Sequence, residues 1–293
     1  MYKKLAVIIL CLGLVAAAGC ATNNQTGPDN LEGQKSVTIM NDFLSLTQND
    51  ISVEEVANFI KNNIAEVSQE DASKMVDAFE KIQKNSYQQY EELFFNDNIQ
   101  NKVNNEYESI KTQADIKDAE LRDLLTKTKN SGYKVETAEG TYFPVIDYSF
   151  YKDFSSYVTS DMKDYIDIMA VESDKVPAKD AALVIGWDEV IERALNQEEF
   201  INKHKDSIRI SEVEQLYNKY LTFTLYGLNN TPLFQYGTKT MNPKAKEDYS
   251  KAVADTGNSD YLKTLSEYMD LVKDNNYQLT SEVENFRDNA TKK

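Results

Sequence analysis

Reactive side chains are few in this chain. It has two thiols, Cys11 and Cys20, and one imidazole, His204. Any Ser-His-Asp or Cys-His arrangement would have to draw on that histidine, whose neighbours Lys203, Lys205 and Asp206 read as a solvated helix end instead. Acids are abundant, 48 Asp and Glu against 32 Lys and Arg, and a glycosidase needs only two of them, about 5–9 Å apart. Neighbouring acids such as Asp188 and Glu189, or Glu198 and Glu199, arise from that abundance alone, so no pair stands out. The chain contains no Gly-rich phosphate loop, Gly-x-Ser-x-Gly elbow, His-Glu-x-x-His or paired-Cys motif. Asn96-Asp97-Asn98 lacks the glycine and distant Glu of a calcium loop and reads as a helix junction. The expectation is no cofactor and no metal.

Cys20 has the most informative surroundings. Lys3 and Lys4 precede an apolar run, Leu5 to Val15, and Ala16-Ala17-Ala18-Gly19 leads into the thiol. Such a run is too short for a hydrocarbon core that needs about 20 apolar residues, and small residues behind it fit a cleavage site. Ala17-Ala18-Gly19-Cys20 resembles the lipobox of bacterial lipoproteins, with alanine at 17 where the family most often has leucine. The resemblance implies cleavage between Gly19 and Cys20 and a diacylglycerol on the cysteine sulfur. The chain is then anchored to the cell membrane on its extracytoplasmic side. Two acyl chains, at ~0.8 kcal/mol per buried methylene, suffice for stable attachment where one does not. The resemblance covers the leader alone and implies nothing about the activity of the rest.

Removing the leader takes away two lysines and no acid, leaving 30 basic residues against 48 acids, a formal charge of −18. Phosphate backbones are captured by Lys and Arg, so nucleic acid is not an expected partner. Cys11 leaves with the leader and Cys20 carries the lipid, so no disulfide can form within the mature chain and stability must come from packing.

Residues 20–35 are polar, with Gly and Pro, and read as the lipidated cysteine and a flexible tether. Residues 36–132 show helical spacing. Ser52-Val53-Glu54-Glu55 is a capping box, and Ala72, Met75, Val76, Phe79, Ile82, Tyr90 and Phe94 fall on one long apolar stripe after Ser68. Residues 133–147 alternate around Ala138-Glu139-Gly140 and predict a β-hairpin with a three-residue turn. Residues 148–293 return to helical spacing: a segment over 178–205 with Trp187 in its core, a second capping box at Ser211-Glu212-Val213-Glu214, and an irregular stretch from Leu228 to Met241. The expected fold is mainly α, a helical bundle of one large or two abutting lobes with a small β-hairpin.

Recognition, on this reading, belongs to aromatic residues. Tyr142, Phe143, Tyr148, Tyr151, Tyr157, Phe234 and Tyr236 could line a groove for a glycan or a peptide, or simply pack the hairpin against the bundle. The expected function is a membrane-anchored, non-enzymatic binding or interaction module for an envelope component. A cell-wall glycan hydrolase using a carboxylate pair is the alternative, on fold analogy alone, and a purely structural role needs neither groove nor catalysis.

Overall fold

Helix starts in this protein follow the side chains able to replace missing backbone partners. The computed structural model describes residues 28–49, 51–112 and 115–292, so the leader with Gly19 and Cys20 lies outside the described residues. Among those residues there are twelve α-helices and three two-stranded antiparallel hairpins. The fold is mainly α with small β-hairpins.

The first helix, α1, spans Pro28–Thr47. Residues 28–35, expected as tether, are therefore its opening turns, with Pro28 where a helix tolerates proline best. Ser52 starts α2 (Val53–Asn63) through the expected capping box: its hydroxyl accepts from Glu55 N at 3.2 Å while Glu55 Oε2 accepts from Ser52 N at 3.1 Å. After a 3-10 turn at Ile64–Glu66, Ser68 caps the long α3 (Gln69–Phe94), and Asn96 caps α4 (Asp97–Lys111). Asp118 caps α5 (Ala119–Asn130), and Gly132 follows its C-cap Ser131 with φ +72°. A Cβ at Gly132 would sit 2.6 Å from Gln83 Nε2, so the glycine serves both the left-handed turn and the close approach.

The predicted hairpin forms as β1 (Tyr133–Ala138) and β2 (Thr141–Ile146), but its turn is shorter than expected. Ala138 pairs with Thr141, which leaves Glu139 and Gly140 as a two-residue loop, both at positive φ (50° and 77°). That geometry matches the right-handed twist of the two strands.

Next come α6 (Tyr148–Tyr151), capped by Asp147, and α7 (Ser160–Asp174). The single segment expected over 178–205 divides. Ala178–Lys179 (β3) and Ala182–Leu183 (β4) form a small hairpin across Asp180 and Ala181, and α8 starts only after Gly186, as Trp187–Lys203. The second capping box does not form. Helix α9 spans Ile210–Tyr226 with Arg209 at its N-cap, which puts Ser211 inside the helix, and Glu212 pairs with the Arg209 guanidinium at 3.2 Å instead. The irregular stretch holds a third hairpin, β5 (Gly227–Leu228) and β6 (Thr231–Pro232). Helices α10 (Pro243–Ala252), α11 (Asp260–Asp274) and α12 (Ser281–Ala290), capped by Asn242, Ser259 and Thr280, complete the chain.

Three cores result, and they do not divide at the hairpin. The first joins Met75, Val76 and Phe79 of α3 to Tyr148, Tyr151, Tyr165 and Ile166, and takes in Phe200 of α8 and Val213 of α9. Residues on both sides of 133–147 thus share one core. The second is built from α8 to α12 around Trp187, Tyr220, Tyr249 and Tyr268, and the third packs α4 and α5 against Tyr142 of β2.

One buried ion pair crosses the first core. Arg209 Nη2 lies 2.6 Å from Glu80 Oε2 and 2.9 Å from Asp77 Oδ1, and both Arg209 and Glu80 are 1% exposed. Tyr148 and Tyr165 donate their hydroxyls to Glu80 Oε1 at 2.6 and 2.9 Å, and Lys84 reaches it at 2.6 Å. Burial works against ionising Glu80, yet Arg209, Lys84 and the Tyr148 hydroxyl more than offset it and hold the carboxyl below its usual range.

Breaking such a pair from one side is expensive. Arg209→Met should cost about 3–5 kcal/mol, because it strands a buried carboxylate; urea denaturation should show a lower midpoint at unchanged slope. Adding Glu80→Gln, which removes the stranded charge and keeps an acceptor for the tyrosines, should recover part of that loss. Because the folded carboxyl titrates below the unfolded one, its contribution is complete above the ordinary value of about 4.3 and fades as pH falls through the folded one. Glu80→Gln alone should therefore flatten the acid side of the stability profile.

Candidate functional site

The aromatic residues expected to line one groove go to different places. Tyr148 and Tyr151 stack inside the first core with ring centroids 5.3 Å apart, Tyr142 belongs to the third core and Phe234 to the second. Tyr142 spends its hydroxyl on Asn104 Oδ1 at 2.8 Å. Phe143 is half-buried on β2, while Tyr157 and Tyr236 are exposed, and Tyr236 donates to Asn229 O at 3.0 Å. No common aromatic groove is assembled. The physical reason is area: each ring is worth more buried against a core than left in water. Tyr148 alone of the seven borders a described cavity, about 330 Å³ between α3, β2 and α7, where Tyr87, Ile146 and Met169 are its neighbours.

A second cavity, about 270 Å³, lies between α7 and α8 and is better equipped. Helix α7 contributes Asp164, Asp167, Ile168 and Val171, spaced three and four apart and therefore on one face. Helix α8 contributes Arg193, Gln197, Phe200 and Lys203 by the same rule. Its walls are apolar at Ile168, Val171 and Phe200, and its charged groups are four carboxylates, Asp164, Asp167, Glu172 and Glu199, against two cations, Arg193 and Lys203.

Arg193, 4% exposed, is held firmly. Its Nη1 donates to Glu172 Oε1 at 3.1 Å and to Tyr220 Oη at 3.0 Å, and its Nη2 to Lys175 O at 2.9 Å and Glu189 Oε1 at 2.5 Å. Burial opposes the charge of Glu189, but Lys175 and Arg193 win and keep its carboxyl below the usual range.

His204 also differs from expectation. Its side chain is 8% exposed rather than solvated, because the ring packs on Phe200 with centroids 5.0 Å apart and its Nε2 lies 2.8 Å from Asp164 Oδ2. Lys203 reaches the same oxygen at 2.8 Å. Burial resists the charge on Asp164, but His204 and Lys203 outweigh it and hold the carboxyl below its usual range. Asp164 is thus stabilised in its ionised form. Burial raises the carboxyl of Asp147, which caps α6 and borders neither cavity. No group of three or more His, Cys, Asp or Glu among the described residues is arranged to hold a metal ion.

No protein-family model, curated protein or solved structure matches the chain.

Gln197 is the residue that separates this cleft from ordinary packing. It is 1% exposed, and both its amide nitrogen and its amide oxygen lack a hydrogen-bond partner among the described residues. Each unmet buried group costs about 1–3 kcal/mol, and Gln197 leaves both polar side-chain atoms unmet where Ser155, Asp248 and Arg287 leave one each. Gln197 is not among the residues expected from the sequence; the signal for it is that Arg193 and Gln197 interrupt an apolar stripe, Val190, Ile191, Ala194 and Phe200, on the buried face of α8.

Gln197→Met keeps the length of the side chain and removes the unmet amide. It should raise stability by about 1 kcal/mol or more, read as an increased urea midpoint or Tm. Gln197→Ala should not, because the void it leaves offsets the gain.

Proposed function

We propose that the chain is a bacterial lipoprotein, held on the extracytoplasmic face of the cell membrane by lipid on Cys20, and that it binds a polar ligand, a peptide or a glycan, in the cleft between α7 and α8. The anchor is supported by the order basic, apolar, small, Cys in residues 3–20. No helix among the described residues is long and apolar enough to cross a membrane, so covalent lipid supplies the attachment in this reading.

Binding rather than catalysis is carried by one observation, the unpartnered amide of Gln197 beside a cleft whose Asp164 is kept ionised. A buried donor and acceptor left open in the free protein are satisfied when a complementary group enters, which makes the ligand a source of stability as well as cargo. The expected aromatic groove is replaced in this proposal by a cleft with an apolar wall and a polar floor. Nucleic acid is no partner for so acidic a chain.

Two measurements separate the halves of the proposal. In a bacterial host the wild-type chain should fractionate with membranes and incorporate labelled palmitate, and Cys20→Ser should lose both; an unmodified Cys20 in the intact mass would end the anchor reading. A bound ligand at 100 times its Kd should add ~2.7 kcal/mol of stability. A thermal-shift screen of peptides and glycans in which no compound raises Tm in a Gln197-dependent way would end the binding reading.

A further inference from the structure

The chemistry of the cleft narrows the ligand, given the binding reading above. Gln197 leaves a donor and an acceptor side by side without partners. Their complement is a group offering an acceptor next to a donor. The N–H and C=O of one extended residue do this, whereas those of a single trans peptide unit point opposite ways. A phosphate or carboxylate would meet the nitrogen alone, and would face four carboxylates against two cations.

Charge then separates the neutral amides from the basic ones. The cations are already committed, Arg193 to Glu172 and Glu189, Lys203 to Asp164. Asp167 and Glu199, both exposed on the cleft's rim, make no ion pair among the described residues. Between this rim and the floor stand Ile168, Val171 and Phe200, with Val171 43% exposed. An aliphatic stem ending in a cation fits that order, because Lys and Arg lay their methylenes on apolar surface and keep the charged head at a polar edge. A volume of about 270 Å³ admits one or two residues of a peptide rather than a long segment.

We propose that the cleft takes a short basic peptide segment: Gln197 pairs with the N–H and C=O of one of its extended residues, Ile168, Val171 and Phe200 flank the stem of a Lys or Arg, and Asp167 and Glu199 receive its charge. The Gln197 amide is covered in the free protein, and a change of its χ1 or χ2 rotamer brings it to the incoming group.

The test uses the full-length chain, uniformly 15N-labelled in detergent micelles, and acetylated, amidated tripeptides Gly-X-Gly with X as lysine, norleucine or glutamate, alongside chitotriose. The Gln197 side-chain NH2 signal is identified by its loss in Gln197→Met. The lysine peptide should shift that signal together with the backbone signals of Val171 and Phe200, and should bind at least tenfold tighter than the norleucine and glutamate peptides. Gln197→Met should weaken it at least tenfold with Tm undiminished, and Asp167→Asn with Glu199→Gln at least threefold. Equal binding by Gln197→Met, or no preference for lysine over norleucine, would overturn the proposal. If chitotriose alone shifts the cleft signals, the cleft remains a binding site and the peptide assignment is wrong. If no probe shifts them and Gln197→Met is destabilised, the amide is structural and the binding reading falls as well.

Discussion

Keeping one carboxylate charged away from water is the constraint on which the first core depends. Glu80 is 1% exposed, and an ion moved out of water loses several kcal/mol of solvation even after the protein relaxes. Arg209, Lys84 and two phenols replace that solvation. Lys84 lies one helical turn beyond Glu80 on α3, whereas Tyr148 comes from α6, Tyr165 from α7 and Arg209 from the start of α9. Four elements therefore converge on one carboxyl group. A slide of α7 by a single turn, ~5.4 Å, would carry Tyr165 out of reach, so hydrophobic contacts that tolerate slippage are pinned by a contact that does not. Arg209 also lies against the Tyr165 ring, 4.7 Å from its centroid, which adds a cation–π contact at the same junction.

That pinning reaches the cleft through the periodicity of α7. Met162, Tyr165, Ile166 and Ala170 form its buried face, and residues two further along the chain, Asp164, Asp167 and Ile168, must then point about half a turn away. Helix α8 has the complementary problem. Its Phe200 belongs to the first core while Val190 and Ala194 belong to the second, so it passes from one apolar environment to another. Arg193 and Gln197 sit where the two cores part. Space between α7 and α8 at that point follows from the divergence of their packing, and polar groups there follow from the space.

Much of this architecture was legible in the residue order. The Ser52 and Ser68 caps act through local hydrogen bonds, and local bonds leave local patterns. The long stripe of α3 and the alternation of β1 and β2 are legible for the same reason. What escaped is non-local. Ser211-Glu212-Val213-Glu214 has the pattern of a capping box, but Arg209 answers to Glu80 and Asp77 far away in sequence, and α9 begins around that commitment. The β3–β4 turn runs through Asp180 and Ala181 at positive φ, a conformation alanine rarely adopts and no pattern predicts. Aromatic residues were legible as important and illegible in role, since the same Tyr can stack on a ligand or fill a core, and Tyr148 and Tyr151 do the second.

Two polar residues on one buried stripe of α8 differ in how the fold meets their hydrogen bonds. Arg193 brings a charge into the interior, and four neighbouring groups, from Glu172, Lys175, Glu189 and Tyr220, accept its terminal N–H bonds. Its interactions are nearly all spent within the fold, as those of Glu80 are. Gln197 follows one turn later with a neutral amide, cheaper to bury and easier for a fold to satisfy, yet it receives no partner among the described residues. Replacing it with an apolar side chain would be the simplest repair, and this chain makes such choices at Val190 and Ala194. Conformational stability accounts for Arg193 and runs against Gln197. The difference lies in how far the fold itself meets each residue's hydrogen bonds.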